Sequence, residues 1–116
     1  MDRDPSVVEA ALSSLRPVHL PKARAKVVDL LAHGLGWSLR VRAAEAMGRL
    51  AETGIDSEAV GALAGAAEND EFSLVREAAL RAIARAAPGA AKPLLRRAAA
   101  RDPEPRVRQT ARSLLR

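Results

Sequence analysis

Three observations in the amino-acid sequence predict an all-α protein built as a stack of antiparallel helix pairs, about seven helices in all. Aromatic residues are nearly absent: Trp37 and Phe72 are the two in 116 residues, against 26 Ala, 15 Leu and 16 Arg. Strands favour β-branched and aromatic side chains, so this composition excludes an ordinary all-β domain. A short unit recurs four times, with an apolar anchor at Val7, Leu39, Val75 and Val107. Between anchors, apolar residues recur at steps of three, four and seven, the spacing of one helical face.

The elements follow in order as 5–16, 21–33, 38–53, 57–68, 73–87, 91–101 and 104–115. Pro5 and Pro105 each stand two residues before an anchor, in a first helical turn, where the missing N–H costs nothing. Pro17 and Pro21 separate the first two helices. Val27, Leu30 and Leu31 share one face of the second, and Leu63, Ala66, Ala67 and Leu95, Ala98, Ala99 repeat that face later. Ser38, Ser57 and Ser73 are placed to cap the next three helices. Pro93 falls in the first turn of 91–101, where it is tolerated. Gly34, Gly54 and Gly89 fall just past helix ends, where a left-handed residue is commonly needed. Gly61 and Gly65 lie inside a helix of small residues and read as permitting close packing. Ala11, Ala43, Ala79 and Ala111 hold one equivalent position in the four anchor-bearing helices. A small side chain there lets neighbours approach, so a core without aromatics is feasible.

Each helix pair buries only a narrow stripe, and stacking makes the core continuous. The clearest unit is Asp102-Pro103-Glu104-Pro105-Arg106-Val107-Arg108, echoed by Asp70 to Arg76 and by Asp2-Arg3-Asp4-Pro5-Ser6-Val7. It resembles HEAT repeats, in particular the short type named after phycobilisome lyases, and the resemblance covers residues 1–116 as one repeat domain. It implies a right-handed α-solenoid whose second helices line a concave face, serving as a non-enzymatic binding scaffold. The second copy departs from the pattern, with Gly34 for Asp and Gly36-Trp37 for Glu-Pro, and an irregular turn is expected near 33–38. In the first copy Val8 replaces the Arg.

Arg40, Arg76 and Arg108 directly follow their anchors, in a first turn where a cation opposes the helix dipole. Recurrence at an unfavourable place implies a compensating partner. Asp70 and Asp102 recur five residues before the anchor, so an Asp–Arg ladder joining successive turns is expected, as the resemblance also implies.

Little points to catalysis or to a cofactor. Without cysteine there is no thiolate nucleophile, no disulfide and no Cys-bound zinc. His19 and His33 sit in or beside loops, and no metal site is expected from them. Ser13, Ser14 and Ser113 have no evident base, and there is no Gly-rich phosphate loop. Glu68, Asp70 and Glu71 read as a solvated charge run on a turn. The start of the chain is charged, and no apolar run reaches the roughly twenty residues of a membrane span, so a cytoplasmic protein with no membrane partner is expected.

The net charge of +5 is unevenly spread. Residues 50–75 carry six acids and no base, whereas 76–116 carry eleven bases and three acids. Excess Ala and Arg over Lys is also what a GC-rich coding sequence produces, so a high isoelectric point alone is weak support for a polyanion partner. Arg49, Arg81, Arg85 and Arg112 fall on the anchor-bearing helices, towards the concave face the resemblance implies. Lys22, Arg24, Lys26, Lys92, Arg96, Arg97 and Arg101 fall on the outer helices, and charge on both faces argues against one dedicated groove. Trp37 reads either as cover for the loop edge of the core or as an exposed anchor for a partner, with Phe72 beside it. The expected function is protein binding on the concave face by Arg49, Arg81, Arg85, Arg112 and Trp37, to a partner with an acidic surface. The alternative is sequence-independent nucleic-acid binding through the basic C-terminal third. Tetrapyrrole attachment follows only from the family's name and has no residue to support it. Leu114 and Leu115 on the last helix leave room for self-association.

Overall fold

A computed structural model describes residues 24–34, 36–50 and 57–116. Among the described residues there are six α-helices and no strand: α1 (Arg24–His33), α2 (Trp37–Leu50), α3 (Ser57–Asn69), α4 (Ser73–Ala86), α5 (Pro88–Arg101) and α6 (Pro105–Leu114). The expected first helix, with Val7 and Ala11, lies outside them.

The helices form two layers. α1, α3 and α5 stack on one another in one layer, and α2, α4 and α6 in the other, while each outer helix packs on the anchor-bearing helix that follows it. This is the helix-pair architecture of an α-solenoid. The repeat register explains the core between the layers. Val27, Leu63 and Leu95 are buried from the first layer, and the anchors Leu39, Val75 and Val107 from the second. Ala43, Ala79 and Ala111 are fully buried, and Met47, Leu80 and Ile83 supply the remaining bulk. Because apolar burial is worth about 25 cal/mol per Å², many small side chains can stabilise the stack without aromatics.

Helix termini differ from the serine caps expected at Ser38 and Ser73. Ser38 lies inside the first turn of α2, and Ser73 is the first residue of α4, behind an N-cap at Phe72 whose side chain accepts no capping bond. At α4 and α6 the side-chain bond goes instead to the N–H of the N-cap residue, from an aspartate two residues upstream. Asp70 Oδ1 accepts the Phe72 N–H at 2.9 Å, and Asp102 Oδ1 accepts the Glu104 N–H at 2.9 Å. An Asx turn thus leads the chain into α4 and into α6.

Glycine and proline positions also need correcting. Among the described residues only Gly36 has a positive φ, 78°, in the turn before α2. Gly34 is needed for space instead, since a Cβ there would stand 2.4 Å from the Leu30 carbonyl oxygen. Gly89 lies within the first turn of α5 rather than past a helix end. That helix starts earlier than expected, at Pro88, which leaves Pro93 inside it. Gly61 and Gly65 face open space, with nothing within 4 Å of an added Cβ, so close packing does not require them. The close approach occurs at Gly48, where a Cβ would lie 3.3 Å from Ala82 Cα and Cβ. Gly54 lies outside the described residues.

The loop side of the stack is tied by arginine. Arg40 donates from Nε and Nη2 to Asp70 Oδ2 and Oδ1 at 2.7 and 3.2 Å, and from Nη1 to the Gly34 carbonyl at 3.0 Å. Arg76 repeats this arrangement one step on, reaching Asp102 at 2.9 and 3.1 Å and the Asp70 carbonyl at 2.8 Å. Arg108 donates to the Asp102 carbonyl at 2.6 Å. Each arginine therefore holds the carbonyl six residues behind it, and the first two also grip the next repeat's aspartate with a bidentate fork. The Asp70 hydrogen bond raises the Arg40 pKa above its ordinary value. The Arg40 guanidinium also lies 5.6 Å from the centre of the Phe72 ring, a cation–π contact. Asp70 is accordingly part of this ladder and not of a solvated run, and Glu68 pairs with Arg97 on α5 at 3.0 Å.

Candidate functional site

Opposite the ladder, along the layer of anchor-bearing helices, α2 and α4 leave a groove of about 650 Å³ between them. Its lining is set by the repeat register. Val41, two residues after its anchor, faces Leu74 and Ala78, which stand one before and three after theirs. Trp37 closes one end, 41% exposed, and Leu74 is 38% exposed. Towards the other end Gly48 and Ala82 bring the helices together and keep the floor shallow. The result is an apolar strip open to solvent.

Charge rims the strip. Arg42, Arg49, Arg81 and Arg85 line the groove together with two carboxylates, Glu45 and Glu77. Both carboxylates are engaged within the molecule. Glu45 pairs with Arg42 at 2.8 Å across one helical turn. Glu77, only 7% exposed, accepts a bond from the Thr110 hydroxyl at 2.5 Å and one from Arg106 Nε at 3.3 Å, with Arg81 at 3.8 Å. Those bonds turn its charge towards α6. Four guanidinium groups against two occupied carboxylates leave the groove cationic.

Of the residues expected on this face, Trp37, Arg49, Arg81 and Arg85 come together in the groove. Arg112 does not. It stands five residues after its anchor, the position of the buried Ala44 and Leu80, and its Nη2 donates to the Ala99 carbonyl on α5 at 3.3 Å. Helical geometry puts that position more than a quarter turn away from Arg81 and Arg85, six and ten residues after theirs. Charge alone did not separate the two faces; shape does. Lys92, Arg96, Arg97 and Arg101 are exposed on α5, away from the groove. His33 is exposed, and among the described residues no cluster of His, Asp or Glu could hold a metal ion.

Sequence reasoning missed Val41, Leu74 and Ala78, and the Glu77–Thr110–Arg106 contact. The signal was available in the register: positions two after, one before and three after the anchor vary in polarity from copy to copy. What the register could not say is which of those positions meet across neighbouring helices.

No helix among the described residues is long and apolar enough to cross a membrane. No curated protein and no solved structure matches the chain significantly. A family model for HEAT repeats matches residues 36–116, more than half the chain and the whole of the stack from the turn before α2 onward. The match is to HEAT repeats at large and does not single out the short phycobilisome-lyase type. With its two-layer stack of helix pairs, the chain belongs to the HEAT-repeat family.

Proposed function

We propose that the chain is a non-enzymatic scaffold that binds a protein partner on the layer of anchor-bearing helices, in the groove between α2 and α4. The observation that carries this reading is the apolar strip of Trp37, Val41, Leu74 and Ala78, on which Trp37 and Leu74 stand exposed to solvent. Exposed Trp is costly to leave in water and is enriched where interfaces concentrate their binding energy. The family supports the same reading, since HEAT repeats commonly mediate protein–protein interaction. Residues in the partner-binding role are Trp37, Leu74, Arg49, Arg81 and Arg85; Arg112 is left out by its position on the far side of α6.

Affinity capture from nuclease-treated extract of the native host tests this. The wild type is compared with a Trp37→Ser/Leu74→Ser variant and with an Arg96→Gln/Arg101→Gln variant that alters exposed charge on α5. A partner held by the wild type and the α5 variant, and lost from the groove variant at unchanged thermal stability, is the expected result. Equal capture by the groove variant overturns the reading. Capture that disappears on nuclease treatment transfers the function to nucleic acid.

A further inference from the structure

We infer that the groove between α2 and α4 takes an acidic peptide segment, with an apolar side chain seated on Val41, Leu74 and Ala78 beside Trp37 and its carboxylates turned to Arg81 and Arg85. This rests on the proposal that the groove is the binding face, and it adds the chemistry of the occupant. The first support is charge complementarity. Four arginines and two glutamates line the groove, and the glutamates are engaged by Arg42, Thr110, Arg106 and Arg81. With four arginines against two glutamates, the lining carries a net positive charge, which attracts an incoming carboxylate. An incoming cation is opposed by that same net positive charge.

The second support is the arrangement of polarity. The apolar strip runs along the middle, and Arg81 and Arg85, both exposed and one helical turn apart, stand on the α4 rim. A peptide carrying acidic residues on one side and an apolar one on the other satisfies floor and rim together. A bare polyanion satisfies only the rim and leaves Trp37 and Leu74 against charged phosphates. The third support is the contrast with the neighbouring junction. Between α4 and α6 the corresponding register positions are Glu77, Arg106 and Thr110, which close on one another through hydrogen bonds. An apolar anchor has no seat there, so the segment is confined to the α2–α4 groove.

Trp37 is the one tryptophan in the chain, so its emission reports occupancy of the groove directly. Titrating the full chain with a synthetic peptide of Asp and Glu interspersed with Leu is expected to shift that emission saturably. The same peptide with Leu replaced by Ser is expected to bind roughly tenfold more weakly, the loss of about 1.4 kcal/mol of apolar contact. An Arg81→Gln/Arg85→Gln variant is expected to weaken the Leu peptide by roughly tenfold or more, and Arg96→Gln/Arg101→Gln on α5 is expected to leave it unchanged. Circular dichroism confirms that each variant is folded, and all four arginines are solvent-exposed. An absent shift, equal binding of the Ser peptide, or a shift produced by an oligonucleotide in place of the peptide overturns the inference. If the peptide fails while capture by the wild type still depends on Trp37 and Leu74, the binding face stands and the acidic occupant falls. If both fail, the face falls with it.

Discussion

The junction between α2 and α4 and the junction between α4 and α6 use the same register positions and differ on one side only. On the loop side both are tied in one way: an arginine holds the carbonyl six residues behind it, and the Arg40 and Arg76 forks reach the next aspartate. On the opposite side they diverge. Val41, Leu74 and Ala78 leave the first junction apolar and open, whereas Glu77, Arg106 and Thr110 close the second with polar contacts. Stacking is therefore secured on the loop side at both junctions, whether the groove side is open or closed. That frees the groove positions to change from repeat to repeat, and function can be placed on them without loss of the fold.

The largest effect is expected in the ladder. Arg76 is 8% exposed and Asp102 is equally enclosed, so Arg76→Ala strands a buried carboxylate at a cost of about 3–5 kcal/mol. Arg108 makes only its carbonyl bond among the described contacts, and Arg108→Ala should cost about 1.5 kcal/mol. Urea unfolding of both variants measures the difference. Equal losses would show that the forks to aspartate do not hold the stack.

A smaller effect is expected from the polar closure between α4 and α6. Glu77→Ala leaves the Thr110 hydroxyl unpaired at about 1–3 kcal/mol. Urea unfolding of this variant measures the loss. A variant as stable as the wild type would mean that the closure contributes nothing.

Smaller again, and of opposite sign, are two glycine substitutions. Gly61→Ala meets nothing and gains helix propensity, a stabilisation of about 0.5–1 kcal/mol. Gly48→Ala drives a methyl to 3.3 Å from the Ala82 backbone, which cannot yield as a flexible side chain would. A net loss of about 1 kcal/mol is expected once overpacking outweighs propensity. Thermal melts of the pair check the sign, and a stabilised Gly48→Ala would place the close approach of α2 and α4 elsewhere.

Much of this architecture was legible in the sequence, and the residues show why. The anchors, the recurring Ala43, Ala79 and Ala111, and the offset of Arg from Asp all depend on position within one copy. A periodic reading captures such facts. Ser38 and Ser73 lie inside the first turns of their helices, and at α4 and α6 the side-chain bond comes instead from an aspartate two residues before the N-cap, to the N-cap's own N–H. Gly61 and Gly65, inside a helix of small residues, read as permitting close packing, yet space is scarce at Gly48, where a neighbouring helix decides the matter. The groove was hidden for the same reason. Val41 and Leu74 lie far apart in the chain, and only the stacking of α2 on α4 brings them together. Arg112 was grouped with Arg81 and Arg85 by charge, and its helical phase separates it.

One measurement compares the two junctions directly. A photo-crosslinking side chain is placed at position 74, on the α2–α4 groove, and separately at position 106, the same register position on α6. Each chain is irradiated in the native host, where its partner is present. The expected result is a discrete protein adduct from position 74 and none from position 106. Adducts from position 106 alone, or equally from both, would contradict the claim that the open apolar groove is where this scaffold holds its partner.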